Sequence, residues 1–397
     1  MENNRTEDNR IKNIILYGPG NVGSRFLEVL LENSSIHNLT LKGVGDIDIS
    51  YTPKKEGFSD LEIREIIELK RKKIKNSDIL ENGAHEIRDI KLLAEEADES
   101  YVLLDATNSD GMLDILYEAA KRGAGIVSIN KKPYAADNPD SYEKIEFLLN
   151  KALDGTAKIR GTVGANLGAP DTLIRILNEQ KPDSIKITGC MSGTLGYVCS
   201  NLEEGRKFSE VMKDAVENGY TEPKPWDDLS GRDVLNKSLI LARLIATWFD
   251  MPYSAVDVRH EPFISSKVMP DGFNSNELAD LVRMSFVEKI AALDEPLAEL
   301  VKGMKNGGSI LVPRYVGEII YENESGKNES GRIKVEVGLK AVPQESEIGS
   351  LKGTNNIFLF GVNGEEQKKY FEPGPGAGIP NTALALYGPL MELVNRR

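Results

Sequence analysis

The sequence predicts an α/β protein of two domains, the first built on a parallel sheet and the second of α+β type. The chain has 397 residues, of which 40% are hydrophobic and 28% are charged, as in globular proteins with more than one core. Short apolar runs alternate with helical patterns as far as residue 132, which favours parallel strands joined by helices. Beyond residue 156 glycines become dense and this alternation stops.

The elements of the first domain follow from hydrophobic periodicity. Buried strands are predicted at four short apolar runs, residues 12–17, 39–44, 101–104 and 126–129. An amphipathic helix with Phe26 and Leu30 on its apolar face follows the first strand, and another helix is predicted at residues 111–122. Because the strands are apolar throughout, we expect helices to cover both faces of the sheet.

The second domain contains fewer but clear strand patterns. Residues 184–188 and 314–321 have strand-like patterns, and the latter is predicted to pair with residues 332–342 across a polar turn. Between them, glycine and proline punctuate residues 219–231, which predicts a structured loop. Leu235, Leu239 and Leu244 then recur at helical spacing. A helix is therefore expected to begin near Asp233.

Charge and composition exclude several classes of function. The net charge of −13 argues against a general nucleic-acid-binding surface. No apolar run reaches the about 18 to 20 residues needed to span a bilayer, and the N-terminus lacks an apolar signal core. The two cysteines, Cys190 and Cys199, do not make a disulfide framework and are interpreted as reduced and structural. We expect a cytoplasmic protein that binds neither membranes nor nucleic acid.

A glycine motif marks a nucleotide site. Gly18, Gly20 and Gly23 fit G-x-G-x-x-G between a predicted strand and a predicted helix, which Asn21 and Val22 open. The first glycine permits a tight turn, the second permits approach of a pyrophosphate, and the third permits close helix–strand packing. This pattern predicts a Rossmann-type dinucleotide site at a helix N-terminus. The alternative is a glycine-rich turn that binds no ligand.

The choice between NAD and NADP depends on the end of the second strand. Asp46 would accept hydrogen bonds from the ribose hydroxyls and repel a 2′-phosphate, and Ile47 follows it where an arginine would bind that phosphate. The cofactor is predicted to be NAD or NADP, with NAD favoured. Asp48 competes for the same role, and Lys54 or Lys55 would reach a phosphate.

Two further segments follow predicted parallel strands, whose carboxyl ends line the ligand crevice in such folds. Thr107 is predicted to contact the nicotinamide half of the cofactor, and Lys131 is predicted to direct a positive charge towards substrate or cofactor. A solvent-exposed turn is the alternative for Lys131 and Lys132.

Residues 215–237 carry the densest group of acidic side chains. Glu222, Asp227, Asp228 and Asp233 lie close together, and Lys237 follows Asp233 by four residues. On a helix this spacing puts Asp233 and Lys237 on one face within contact. A carboxylate beside an amine orients it and allows proton exchange with a substrate. The alternative is a solvated acidic loop followed by an ordinary ion pair.

Taken together, these motifs resemble homoserine dehydrogenase. The resemblance covers most of the chain in order, and the pattern A-x-x-x-G-Y-T-E-P followed by D-L-x-G-x-D-x-x-x-K at residues 215–237 is its most specific part. It implies a dinucleotide-binding Rossmann domain at 11–155 and a mixed-sheet substrate-binding and dimerisation domain at 156–373. It also implies a glycine loop and helix at 374–397 that return to the first domain. A short, monofunctional homodimer without a kinase or regulatory domain is expected.

The resemblance also implies a reaction and the residues that perform it. The reaction would be the reversible oxidation of L-homoserine to L-aspartate 4-semialdehyde, in threonine and methionine biosynthesis. Lys237 would transfer the proton at the substrate oxygen, assisted by Asp233 and Lys131. The amine and hydroxyl of the substrate would be held by Glu222, Asp228 and Asp233, with backbone from Gly219. Gly376 would join the cofactor-binding residues.

The chain departs from the family pattern in two places. Lys224 precedes Pro225, where the family usually has Asp, Asn or Ser. Arg160 stands where many relatives have a glutamate of a monovalent-cation site, and a guanidinium cannot coordinate a cation. No metal is therefore expected, and Arg160 would replace the charge of the ion. The alternative is that Arg160 points to solvent while backbone carbonyls still bind the ion.

Two other functions fit parts of the sequence. A semialdehyde dehydrogenase would need a nucleophilic cysteine, for which Cys190 is the candidate, although its apolar neighbours favour a structural role. A nucleotide-sensing protein would keep the fold without the reaction, and the Asp233–Lys237 pair argues against it.

Overall fold

The computed structural model describes residues 11–34, 38–46, 49–53, 57–72, 85–270, 276–304, 310–323 and 331–395. The chain divides into two compact units. The first comprises residues 1–171 and 378–397, and the second comprises residues 172–377. These divisions lie near residues 171 and 377, whereas the domain boundaries expected from the sequence lie at 155 and 373.

The first unit alternates strands and helices. Its described strands are β1 (Asn13–Tyr17), β2 (Thr40–Asp46), β3 (Ile49–Pro53), β4 (His85–Asp89), β5 (Tyr101–Asp105), β6 (Gly125–Ser128) and β7 (Ala157–Lys158). Its described helices are α1 (Asn21–Glu32), α2 (Asp60–Arg71), α3 (Ile90–Glu95), α4 (Met112–Lys121), α5 (Lys132–Ala135), α6 (Tyr142–Leu153) and the C-terminal α15 (Ile379–Val394). Helix α7 (Ala169–Gln180) begins in this unit and ends in the next.

The strands of the first unit form one sheet in the order β4-β3-β2-β1-β5-β6-β7. Strands β2, β1, β5, β6 and β7 are parallel, which confirms the predicted parallel sheet. Strands β3 and β4 extend its edge in antiparallel pairing. These two strands were not predicted from the sequence, because neither contains a continuous apolar run. Strand β7 belongs to this sheet through its pairing with β6, which explains why the first unit extends beyond residue 155.

The core of this unit joins the sheet to α1, α2 and α15. The apolar face of α1, with Phe26 and Leu30, packs with Leu16 of β1 and with Leu386 and Leu390 of α15. Helix α15 therefore shares a core with the strand and helix that flank the glycine turn. This packing fixes the N-terminus of α1 relative to the carboxyl end of β1.

The second unit combines a mixed sheet with helices. Its described strands are β8 (Ser184–Cys190), β9 (Val256–His260), β10 (Leu311–Glu322), β11 (Arg332–Pro343), β12 (Asn355–Val362), β13 (Lys368–Lys369) and β14 (Gly374–Pro375). Its further described helices are α8 (Gly193–Glu203), α9 (Phe208–Glu217), α10 (Pro225–Leu229), α11 (Arg232–Trp248), α12 (Asn276–Ala279), α13 (Arg283–Val287) and α14 (Asp294–Met304).

The second sheet has the order β13-β12-β8-β10-β11-β9, with β14 paired to β12. The predicted pairing of residues 314–321 with 332–342 is confirmed, because β10 and β11 are antiparallel with Tyr315 opposite Leu339. Strand β9 runs parallel to β11, which makes the sheet mixed. Helices α8 and α11 pack on β10, so the residues at their N-termini are held against a sheet. No helix among the described residues is long and apolar enough to cross a membrane.

Candidate functional site

The glycine motif forms the turn between β1 and α1. Gly18 has a φ of +84°, a left-handed conformation that glycine adopts without strain. A Cβ at Gly18 would also lie 2.7 Å from backbone atoms of Ala106 and Thr107. The amide of Gly18 donates to the carbonyl of Gly45 at 2.9 Å. The turn is thus enclosed by the ends of β2 and β5, and only glycine fits at its first position.

The next residues of the motif place a helix N-terminus beside open space. Gly20 precedes α1, whose first two residues are Asn21 and Val22. No atom lies within 4 Å of a Cβ built on Gly20. A Cβ on Gly23 would instead collide with the carbonyl of Gly18. The third glycine therefore permits close helix–strand packing, and the second leaves the backbone accessible. First-turn amide groups and the helix dipole favour an anion at such a position.

Asp46 ends β2, as the sequence analysis expected, but it has a partner that was not anticipated. Its carboxylate forms an ion pair with Lys70 near the end of α2, and both side chains are mostly buried, with 18% and 13% exposure. A cation therefore lies beside the carboxylate that was expected to repel a 2′-phosphate. Ile47, Asp48, Lys54 and Lys55 lie outside the described residues.

Thr107 belongs to a hydrogen-bond network at the ends of β5 and β6. Its backbone N–H and its hydroxyl donate to Asp105 Oδ1 at 2.9 Å and 2.7 Å. Asn130 Nδ2 donates to Thr107 Oγ1 at 3.1 Å and to the carbonyl of Ser109 at 2.8 Å. Burial raises the pKa of the Asp105 carboxyl, and the hydrogen bonds from Thr107 oppose that rise. This network fixes the two loops that follow the central strands.

Lys131 lies directly after that network and precedes the short helix α5. Its carbonyl accepts from the amides of Tyr134 and Ala135 at 3.1 Å and 3.0 Å. Asn130 Oδ1 accepts from the amide of Lys132 at 3.1 Å. The backbone around Lys131 is therefore held rigidly at the carboxyl end of the parallel sheet, and its side chain is partly buried.

In the second unit, the acidic segment begins where α9 ends. Gly219 follows the helix with a φ of +71°, and the amide of Tyr220 donates to the carbonyl of Ala215 at 2.8 Å. This is the usual way to end a helix at a glycine. It turns the chain so that residues 220–224 run towards α10.

Asp228 is the centre of the polar contacts in this segment. Its Oδ2 accepts from the backbone N–H of Glu222 at 2.8 Å, and its Oδ1 lies 3.0 Å from Thr194 Oγ1. Burial raises the pKa of the Asp228 carboxyl to about 6, and the negative charges of Glu222 and Asp233 add to the rise. Glu222 itself is exposed. Asp228 therefore joins α10, the preceding loop and α8.

The predicted contact between Asp233 and Lys237 is present in the first turns of α11. Lys237 Nζ lies 2.7 Å from Asp233 Oδ2, with side-chain exposures of 7% and 38%. Lys237 Nζ also donates to the carbonyl of Met191, just after β8, at 2.6 Å. A buried ammonium requires partners of this kind. The side chain is thus fixed between α11 and the end of β8, which the sequence did not indicate.

Gly231 forms the sharp connection between α10 and α11. It has a φ of +70°, and a Cβ at this position would collide with the hydroxyl of Tyr315, while lying 2.6 Å from Tyr315 Cζ. The Tyr315 hydroxyl in turn donates to the carbonyl of Glu261 at 2.7 Å. This connection sets Asp228 and Asp233 on adjacent helices.

Gly376 lies in the second unit, next to β14. A Cβ on Gly376 would collide with the side-chain amide of Asn356, whose β12 backbone pairs with Gly374. Asn356 is fully buried, and its amide has no hydrogen-bond partner among the described residues. Gly376 is therefore a position of close packing, and its expected role in cofactor binding stays a prediction.

Arg160 forms ion pairs within the first unit. Its Nε lies 2.5 Å from Asp171 Oδ2, and its Nη2 pairs with Glu392 of α15. Lys158 also pairs with Glu392, at 2.8 Å. The guanidinium therefore joins α7 to α15 rather than extending into solvent. Among the described residues, no group of three or more histidine, cysteine, aspartate or glutamate side chains is arranged to hold a metal ion.

The cysteines do not provide an accessible nucleophile. Cys190 and Cys199 are buried and not bonded to each other. Burial raises the pKa of each thiol to about 12. Both remain protonated near neutral pH, and their environment does not favour reaction with an aldehyde.

The expected site residues separate into two groups. The first unit contains the expected cofactor residues and one expected catalytic residue: Gly18, Gly20, Asn21, Val22, Gly23, Asp46, Thr107 and Lys131. The second unit contains the expected substrate and catalytic residues together with Gly376: Gly219, Glu222, Asp228, Asp233 and Lys237. The contacts of Lys70 with Asp46, of Met191 with Lys237 and of Thr194 with Asp228 were not predicted, because the partners are distant in the chain.

Comparison with known proteins identifies what this arrangement resembles. The sequence profile of the homoserine dehydrogenase family matches residues 173–391. The homoserine dehydrogenase of Saccharomyces cerevisiae is 28% identical over 401 residues, which cover 98% of this chain and 99% of the yeast protein. A chloroplastic bifunctional aspartokinase/homoserine dehydrogenase of Zea mays is 32% identical over 293 residues, which cover 74% of this chain. The match spans only 29% of the length of that maize protein.

Solved structures share the fold at lower sequence identity. A putative homoserine dehydrogenase from Archaeoglobus fulgidus has a TM-score of 0.65 at 23% identity, covering 96% of this chain and 99% of that one. A hyperthermophilic archaeal homoserine dehydrogenase in complex with NADPH also has a TM-score of 0.65, at 18% identity, covering 97% of this chain and 98% of that one. These similarities support the two-unit architecture, with a nucleotide-binding fold followed by a mixed sheet.

Proposed function

This chain belongs to the homoserine dehydrogenase family, and we propose that it interconverts L-homoserine and L-aspartate 4-semialdehyde with NAD or NADP, within amino-acid biosynthesis. The observation that carries the proposal is the buried Lys237, held between Asp233 and the carbonyl of Met191. Such a lysine is positioned for proton transfer, which the oxidation of an alcohol requires. The family profile covers the same segment.

The first unit fits a dinucleotide. Gly18 and Gly23 fill positions where a Cβ would collide with backbone, whereas the space at Gly20 is open in front of the first turn of α1. A pyrophosphate would be held there by backbone N–H groups, with Asn21 and Val22 at the start of the helix. When bound, the nicotinamide supplies the hydride acceptor or donor. Asp46 and Lys70 would meet the adenine-side ribose, and Thr107 and Lys131 would serve the nicotinamide half.

The second unit would hold the substrate. Asp228, Asp233 and Glu222 supply negative charge for an ammonium group, and the turn at Gly219 leads into their loop. This charge suits the amine of an amino acid, because opposite charges attract strongly where solvent is restricted. Its hydroxyl would approach Lys237. The proposed substrate class is therefore a short amino acid with a terminal alcohol or aldehyde.

The stoichiometry of the reaction requires a group that accepts or donates a proton at the substrate oxygen, and we assign this role to Lys237. Oxidation of the alcohol releases one proton, which neutral Lys237 would accept from the substrate hydroxyl. In the reductive direction, the ammonium of Lys237 would donate a proton to the developing alkoxide. Asp233 orients the amine through the ion pair at 2.7 Å. Because the oxidation releases a proton, alkaline pH should favour that direction by mass action.

The functional assembly is proposed to be a homodimer. Membership of the family supports this proposal. The chain has a mass of 43.8 kDa, so light scattering during size-exclusion chromatography distinguishes a dimer from a monomer. A monomer at micromolar concentration would argue against the proposal.

A direct assay tests the activity. The purified protein should reduce NAD or NADP when L-homoserine is added, measured as absorbance of the reduced cofactor. Homoserine-dependent reduction supports the proposal, and its absence with both cofactors would contradict it. The burial of Cys190 and its raised pKa, to about 12, disfavour the semialdehyde dehydrogenase alternative, which requires a reactive thiol. Phosphate-dependent acylation activity would favour the semialdehyde dehydrogenase. Turnover of homoserine would exclude a nucleotide-sensing protein without catalytic activity.

A further inference from the structure

Thr194 occupies a junction between two oxygen atoms in the proposed substrate region. It lies in the first turn of α8 and is 6% exposed. Its Oγ1 is 2.6 Å from the carbonyl oxygen of Tyr220 and 3.0 Å from Asp228 Oδ1. Both distances are within hydrogen-bond range. Thr194 therefore contacts the loop after α9 and the carboxylate of α10 at once.

The number of protons limits what this junction can form. A threonine hydroxyl has one hydrogen to donate, while a carbonyl and an ionised carboxylate only accept. The shorter contact, to the Tyr220 carbonyl, takes that hydrogen. The contact between Thr194 Oγ1 and Asp228 Oδ1 then lacks a hydrogen as long as Asp228 is ionised. A proton on Asp228 Oδ1 completes the network, because the carboxyl then donates to Thr194.

The charged groups around Asp228 also favour that proton. Burial is the largest effect that raises the pKa of Asp228, to about 6. The negative charges of Glu222, in the preceding loop, and of Asp233, on α11, raise this pKa further. The backbone N–H of Glu222 opposes these effects and favours the ionised form, because it donates to Oδ2.

The other described elements that pack against α10 carry acidic groups or cations that contact other residues. Helix α12, which packs against α10, contributes the acidic Glu277, and Asp280 beyond it pairs with Lys224 at 2.9 Å. On α11, the ammonium of Lys237 is engaged by Asp233 and the Met191 carbonyl. A bound ammonium group would thus change the charge at Asp228 most directly.

We propose that Thr194 is a positioning residue that commits its hydroxyl proton to the Tyr220 carbonyl, so that at mildly acidic pH Asp228 holds a proton in the free site and releases it when the ammonium group of a substrate binds. This inference rests on the proposed function and specifies how the substrate amine is recognised. The proton moves from Asp228 to solvent, and the carboxylate that remains pairs with the ammonium. Substrate binding and proton release are therefore linked.

The linkage has a definite sign. Because the pKa of Asp228 in the free protein is raised to about 6, the carboxylate is lost as pH falls through that value. Binding of the ammonium must then displace a proton. The kcat/KM for homoserine should decrease about tenfold for each pH unit below the pKa of this group. Above pH 7 this contribution should be nearly constant.

Calorimetry measures the released proton directly. Homoserine is titrated into the protein saturated with reduced cofactor, with which the alcohol cannot react, in two buffers of different ionisation enthalpy. About half a proton should be released at pH 6 and almost none at pH 8. Each series is run with NADH and NADPH, because the 2′-phosphate of NADPH itself has a second pKa of about 6. Asp228→Asn should remove the release.

Two variants of Thr194 separate positioning from packing. Thr194→Val removes the hydroxyl that accepts the proton of Asp228, so the pH at which kcat/KM falls on the acid side should move downward by about one pH unit. Thr194→Ser keeps the hydroxyl, so kcat/KM should fall at the same pH as in the wild type. An acid-side pH dependence that stays in place or moves upward in folded Thr194→Val would overturn the proposal, and so would homoserine binding at pH 6 without proton release. Lack of turnover at pH 8 would instead contradict the proposed function, so the two failures are distinguishable.

Discussion

Lys237 and Asp233 form an ion pair one helical turn apart, in which the lysine is buried and the aspartate is partly exposed. The Nζ–Oδ2 distance is 2.7 Å, and the same ammonium donates to the carbonyl of Met191 at 2.6 Å. A surface ion pair of this spacing contributes little to stability. Here burial and a second partner fix the amine in one orientation, which suits proton transfer.

Cofactor preference depends on the pair formed by Asp46 and Lys70. Asp46→Ser should narrow or reverse a preference for NAD, because the carboxylate that repels a 2′-phosphate is removed. Lys70→Ala should have the opposite effect and raise the KM for NADP more than the KM for NAD. Steady-state kinetics with both cofactors measure each ratio. A strong preference of the wild type for NADP would contradict the prediction that Asp46 favours NAD. It would show that the attraction of Lys70 for the 2′-phosphate exceeds the repulsion by Asp46.

Substitution of Gly231 by alanine should destabilise the protein more than the same substitution at Gly205, which has a similar backbone conformation. Gly231→Ala combines a φ of +70° with a collision at Tyr315, whereas Gly205 has a φ of +84° with no atom within 4 Å of a Cβ. Gly205→Ala should destabilise the protein by about 1 kcal/mol through backbone strain alone. Gly231→Ala should lower the free energy of unfolding by at least about 1 kcal/mol more than Gly205→Ala does. If urea denaturation gives the same loss of unfolding free energy for both variants, Tyr315 moves away from the new methyl group without an energetic cost.

Arg160 should act as a fixed cation in the first unit. At constant ionic strength, replacing sodium by a large organic cation should leave turnover unchanged, because Arg160 is expected to replace the charge of the ion that many relatives bind. Arg160→Glu should lower the melting temperature by bringing a third carboxylate to Asp171 and Glu392. Lys158→Ala, which removes the other cation at Glu392, is the matched control and should have a smaller effect. Specific activation by sodium would favour an ion bound by backbone carbonyls.

The sequence predicts those features that depend on neighbours along the chain. Continuous apolar runs located β1, β2, β5 and β6, and the spacing of four residues located the contact between Asp233 and Lys237. The glycine motif located the turn before α1. Each of these depends on local periodicity or backbone conformation, which a single sequence contains.

Contacts between distant segments were not predictable in the same way. Lys70 reaches Asp46 across 24 residues and Lys237 reaches the Met191 carbonyl across 46 residues. Thr194 reaches Asp228 across 34 residues. Lys70 and Asp46 meet within the first unit, whereas the other partners meet in the second unit, where α8 and α11 pack on β10. No spacing rule connects any of these partners. The antiparallel strands β3 and β4 were missed because neither contains a continuous apolar run, the pattern from which the other strands of this sheet were predicted.

The most direct test of the proposed chemistry is the turnover of L-homoserine by Lys237→Ala compared with the wild type. Loss of the proton-transfer group should reduce kcat by about two to four orders of magnitude. Circular dichroism and the melting temperature should show a folded protein, and Lys213→Ala, at an exposed lysine of the same unit, should retain nearly full turnover. Near-normal kcat in folded Lys237→Ala would contradict the assignment of Lys237 as the residue that transfers the proton.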